Sequence, residues 1–182
     1  YARLSLSDDP DAKEMKENIM RSAKSMGLPA NVDVARMFDQ MSEVINMMKE
    51  QTIDGRRLID IPSYRDRLMQ VQGKVMASQA HSLRLLSSKI NPGQNVKLGG
   101  MIQKLVGTEL RHELEGLAID VLGEIGTLYE DSPYLKEDGS FQFTYMYFLG
   151  LIIGGGTNQI QKNIISERGL GMPKEPKVTE AS

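Results

Sequence analysis

The chain has 182 residues and carries 22 basic against 24 acidic side chains, a formal net charge of −2. That balance excludes the strong positive field that nucleic acid or an anionic membrane surface demands. With no cysteine there are no disulfides, thiolate metal ligands or cysteine nucleophiles, and two histidines, His81 and His112, are too few for a nitrogen-rich zinc site.

The longest apolar run, at 145–153, is interrupted by Gly150 and is too short to span a bilayer. No basic segment followed by an apolar core opens the sequence. The expectation is a cytoplasmic protein with no metal centre. The chain begins at Tyr1 in YARLSLSDDP, which reads as a piece cut from something longer.

Helical periodicity dominates. Asp8, Asp9 and Pro10 are capping residues for a charged helix over 8–25, which Gly27 and Pro29 would stop. A second helix begins at Asn31 or Asp33. Its stripe is Val34, Met37, Phe38, Met41, Val44, Ile45 and Met48, and it is expected to run to Gly55. Pro62 opens a third helix with Leu68, Val71, Val75, Met76, Leu83, Leu86 and Ile90 on one face, up to the break at Asn91-Pro92-Gly93.

A fourth helix carries Met101, Ile102, Leu105, Val106, Leu110, Leu114, Leu117, Val121, Ile125 and Leu128. The last two helices, of roughly 25 residues each, would be about 38 Å long. A charged loop over 131–139 precedes an aromatic cluster, Phe141, Phe143, Tyr145, Tyr147 and Phe148. Its alternation resembles a strand, but a lone strand would have nothing to pair with, so a helix or extended packing segment is expected. The predicted fold is all-α: an antiparallel up-and-down four-helix bundle with a short additional C-terminal helix. Residues 1–30 form a lead-in helix and linker, 31–173 the bundle domain, and 174–182 a polar tail expected to be disordered. The twelve methionines lie mostly on the stripes, as packing material.

Gly154, Gly155 and Gly156 allow a sharp bend, and Thr157 is an N-cap for the helix that follows. Unpaired N–H groups at such a helix start suit a phosphate or a polar ribose edge. A plain tight turn between packed helices is the competing reading.

The run 154–173, GGGTNQIQKNIISERGLGMP, resembles the last helix of the acyl-CoA dehydrogenases over about 18 positions. The stretch 104–110 resembles a lysine-containing segment of that family's bundle, and 117–126 its A-x-D-x-L-G helix, so the likeness spans about 30–173. It implies the C-terminal helical domain of a flavoenzyme. Flavin adenine dinucleotide (FAD) contacts are implied at Gly156, Thr157 and Gln159, and at Gly123 toward a flavin held by a neighbouring subunit. The implied reaction is the α,β-oxidation of an acyl-CoA thioester to a 2-enoyl-CoA, with electrons passed to an electron-transfer flavoprotein.

The catalytic base must be a carboxylate that reaches the α-proton. Many family members place a glutamate directly before Gly-Thr, where this chain has Gly155, so the catalytic residues are not identified in this sequence. The family's flavin-contacting arginine, followed by Phe-Gly, has no clean counterpart; Arg56 and Arg57 lie nearby and read as a solvated helix end. Glu43, Glu50, Glu109, Glu113 and Glu115 read as a charged outer face, and His81 and His112 as surface histidines. Two functions follow. The chain is either the C-terminal domain of an acyl-CoA dehydrogenase, inactive alone and assembled as a homodimer or tetramer, or a non-catalytic partner subunit or assembly module of the same family.

Overall fold

A computed structural model describes residues 34–90, 96–129 and 132–174. The expected helix over 8–25, the break at Asn91-Pro92-Gly93 and nearly all of the polar tail lie outside the described residues.

Helix α1, Val34–Glu50, buries Met37, Gln40, Met41, Val44 and Met48, which recur at spacings of three and four. It ends before Gly55. Strands β1 (Thr52–Ile53) and β2 (Arg56–Arg57) form a small antiparallel hairpin with Thr52 opposite Arg57 and Ile53 opposite Arg56. Its turn, Asp54-Gly55, has φ of 53° and 73°. Asp-Gly adopts that pair of left-handed conformations readily, and such a turn matches strand twist. A 3-10 turn, Leu58–Asp60, then buries Leu58.

Helix α2, Pro62–Ile90, starts on the proline, whose missing N–H costs nothing there. Leu68, Val71, Val75, Gln72 and Ser78 face inward. Met76, expected on the same face, is 55% exposed. Successive residues on a helix lie about 100° apart, so Val75 and Met76 cannot both centre on one contact. Helix α3, Val96–Leu122, buries Leu110, Leu114, Leu117, Ala118 and Val121, but leaves Val106 exposed. Gly123, at φ 60°, ends it, and a 3-10 turn, Gly123–Thr127, holds Ile125.

Helices α2 and α3 are antiparallel. Going up α2, Arg67, Lys74 and His81 meet Asp120, Glu113 and the Gly99 carbonyl in descending order along α3. The two ion pairs, both at 2.7 Å, are about half exposed. Exposed pairs contribute little, so Lys74→Ala is expected to cost less than about 1 kcal/mol in urea unfolding.

The aromatic cluster is helical. Helix α4, Ser140–Ile153, buries Phe141, Gln142, Thr144 and Phe148 and also runs antiparallel to α3, with Gln142 donating to the Ile125 carbonyl and Lys104 reaching Ile152 at the other end. Its other side exposes Phe143, Met146, Tyr147 and Ile153. Helix α5, Asn158–Ile164, continues as a π-helical turn, Ile165–Gly169. Among the described residues the fold is all-α apart from the hairpin. Helix α3 touches α1, α2, α4 and α5 and forms its axis. No helix among the described residues is long and apolar enough to cross a membrane.

Candidate functional site

The glycine turn joins α4 to α5. Gly154 closes α4 by donating its N–H to the Gly150 carbonyl at 2.7 Å. Gly155 and Gly156 take φ of 71° and 100°, which side-chain-bearing residues rarely adopt. Thr157 is the N-cap, as expected, its oxygen accepting from the Ile160 N–H at 3.4 Å. Gln159 sits in the first turn of α5 with its side chain exposed.

Three side chains fasten this turn. The Lys104 ammonium donates to the Gly156 carbonyl at 2.7 Å and to the Ile152 carbonyl at 3.3 Å. The Gln161 amide donates to the Gly155 carbonyl at 2.6 Å. Asn158 donates to the Glu109 carboxylate. A Cβ on Gly156 would lie 3.1 Å from the Gln161 amide nitrogen and 3.2 Å from an Ile160 methyl. Gly156→Ala is therefore expected to destabilise by about 1–2 kcal/mol through backbone strain, and more if Gln161 is displaced. Thermal unfolding checks this; an unchanged midpoint would mean the turn relaxes freely.

Gly123 is exposed, and a Cβ there would meet nothing within 4 Å. It lies 19 positions beyond Lys104 on the helix that fastens the turn, about 28 Å at the standard rise. One chain does not bring Gly123 and Thr157 together. Arg56 and Arg57 are exposed on the hairpin rather than at a helix end, and Arg57 is paired with Asp60 at 2.8 Å.

The charged face expected on α3 is only partly outward. Glu115 is fully buried. One of its oxygens accepts from the Gln40 amide at 2.6 Å and from the Arg111 guanidinium at 3.0 Å, while the other has no partner. Arg111 is itself 4% exposed and lies 5.2 Å over the Phe148 ring. Burial pushes the Glu115 carboxyl up to about 7, against the opposing pull of Arg111 and Gln40.

His112 is not a solvated histidine. It stacks on Tyr145 at 4.3 Å, and its Nδ1 is buried without a hydrogen-bond partner. His81 is half-buried against the Gly99 carbonyl at 3.0 Å. Sequence reading missed this buried layer because α3 alternates charged and apolar residues, and 111–115 reads as solvent-facing. The one available signal was that Glu115 follows Arg111 by four and sits beside the core residue Leu114. No group of metal-ligating side chains occurs among the described residues.

A helical bundle ending in a glycine turn and a threonine-capped helix is the architecture of a known family. The family model "Acyl-CoA dehydrogenase, C-terminal domain" matches residues 17–170. The chain belongs to the acyl-CoA dehydrogenase family. It is 33% identical over 118 residues to acyl-CoA dehydrogenase IpdE1 of Mycolicibacterium smegmatis, covering 65% of this chain and 28% of that one. It is 33% identical over 122 residues to acyl-CoA dehydrogenase FadE26 of Mycobacterium tuberculosis, covering 66% and 30%. The chain thus spans under a third of the length of these curated relatives.

Among solved structures, a chain of the ChsE4-ChsE5 complex from Mycobacterium tuberculosis superposes with a TM-score of 0.69 at 31% identity, covering 79% of this chain and 37% of that one. The FAD complex of PigA superposes with a TM-score of 0.64 at 19% identity, covering 76% and 34%, and shares the fold.

Proposed function

We propose that this chain is the C-terminal domain of an FAD-dependent acyl-CoA dehydrogenase that oxidises an acyl-CoA thioester to a 2-enoyl-CoA. The observation that carries this reading is the fastened turn leading into Thr157 and Gln159, within a chain whose family match runs through it. The residues present fit a polar flavin edge. The Thr157 oxygen is occupied as an acceptor, but its hydroxyl proton is free to donate. The Gln159 amide is exposed and offers both donors and an acceptor.

When bound, FAD supplies the hydride acceptor, and the protein's part is to orient it. Gly156, Thr157 and Gln159 would hold one flavin. Gly123, at the far end of α3, would meet the flavin of a neighbouring subunit in a dimer or tetramer. Gly155 offers no carboxylate, and Glu115 is sealed in the core, so the α-proton would be taken by a carboxylate supplied elsewhere in the assembled cytoplasmic enzyme. Electrons would leave to an electron-transfer flavoprotein. The chain alone is expected to show no turnover with added FAD and acyl-CoA; measurable dye reduction would overturn that expectation.

The decisive assay uses the enzyme carrying this domain. The purified assembly should hold flavin, and replacing Thr157 with Val together with Gln159 with Ala should weaken flavin retention at least about tenfold. A colourless wild-type assembly would overturn the flavin reading.

A second reading, a non-catalytic partner subunit, rests on Gly155 in the position of the family's glutamate. It also rests on the likeness to a chain from a two-component complex. Co-purification with a distinct catalytic subunit would favour it over self-assembly.

A further inference from the structure

We propose that Lys104 is the positioning residue of the glycine turn, the group that sets where Thr157 and Gln159 stand. The turn needs an external hold. Gly155 and Gly156, both at positive φ, have more unfolded freedom to lose than any other residue type. The end of α4 also leaves carbonyls without partners inside the helix, and together they carry a partial negative charge.

The Lys104 ammonium answers both needs. It bridges the Ile152 carbonyl, in the last turn of α4, and the Gly156 carbonyl, directly before the α5 cap. One charge thus ties the exit of one helix to the entry of the next, across 48 and 52 positions of sequence. Hydrogen bonds from a charged donor are roughly twice as strong as neutral ones. Lys104 is half-buried, so water competes weakly for these carbonyls.

The other fastenings cannot take over this role. Gln161 holds the Gly155 carbonyl from within α5 and would travel with α5 if the turn moved. Glu109 holds Asn158 at an exposed site. Lys104 joins the turn directly to the axis helix from a half-buried position.

The purpose assigned to the turn rests on the flavin reading above; the positioning role does not. Amide hydrogen exchange on the full 182-residue chain tests the latter. In Lys104→Met, the hydrogen-bonded amides of Gly154, Ile160 and Gln161 should exchange at least tenfold faster, while those of Met41, Val44 and Leu114 keep their protection. Lys104→Arg, which keeps the charge and the donors, should recover much of the protection. Gln161→Leu should loosen the turn less than Lys104→Met does. Unchanged exchange at Gly154, Ile160 and Gln161 in Lys104→Met, or equal loosening in Lys104→Arg, would overturn the proposal. Should Lys104→Met fail to fold, Lys104→Gln with the same readout decides it.

Flavin retention in the enzyme carrying this domain is a separate arm. It should fall at least tenfold in Lys104→Met. A turn that loosens in Lys104→Met, in a protein whose wild type never holds flavin, would defeat the flavin reading and leave the positioning role supported.

Discussion

Arg111→Ala should cost about 3–5 kcal/mol, more than any other substitution considered for this chain. The guanidinium is 4% exposed and is charge-paired to a carboxylate that has no exposure at all. Removing one partner of a buried pair leaves the other charge desolvated, and that penalty dominates the effect. Gln40 would remain on Glu115, but a neutral amide offsets only part of it. The packing of Arg111 on Phe148 is lost as well. Urea unfolding should show a lower midpoint with an unchanged slope. Glu115→Gln should also lower the midpoint, because the buried Arg111 guanidinium, which cannot release its proton, would then lack its countercharge. If neither variant lowers the midpoint, the pair is not the source of the stability.

The wild-type protein should lose stability as pH rises from about 4.5 to about 7. Glu115 is the cause, its carboxyl being pushed up from 4.5 to about 7 chiefly by burial. The folded state keeps a proton there that the unfolded chain releases. The contribution is therefore fully present below the unfolded value, shrinks with rising pH, and is gone above the folded one. At 1.36 kcal/mol per unit the total is about 3 kcal/mol. Glu115→Gln should remove this part of the slope, so the difference between the two unfolding curves isolates it. Curves that stay parallel across the interval would show that Glu115 is ionised in the folded protein throughout. The cost of Arg111→Ala should likewise be smaller at low pH, where the carboxyl can take up a proton instead of standing unpaired.

The helices were legible wherever burial followed the 3.6-residue period. Met37, Met41, Val44 and Met48, and later Leu110, Leu114, Leu117 and Val121, stood out in the sequence and form the core. The turn was legible too, because glycines followed by a capping threonine have few other uses. The hairpin at Asp54-Gly55 was not seen. The apolar stripe of α1 runs up to it, although Asp-Gly is a strong short-range turn signal in its own right. The buried polar layer of Gln40, Arg111 and Glu115 was hidden for a deeper reason. Charge on a helix predicts exposure, and the exception is made only by a partner 75 positions away, Gln40 against Glu115. Lys104 was visible as part of a family-like segment, but its two carbonyl partners on another element were not.

Helix α3 carries Lys104 near one end and Gly123 at its close, with no loop between them. A loop absorbs an added residue by bulging; a packed helix cannot. Deleting one residue between these positions would shorten the span by about 1.5 Å and rotate everything beyond it by about 100°. Leu114 and Leu117 would swing out of the core, and the two ends of the helix would face directions that no longer correspond. The spacing from 104 to 123 is thus a ruler built into the chain. Length and phase are constrained there more tightly than the identity of most side chains along it, and tolerance to insertion should be lowest in this segment.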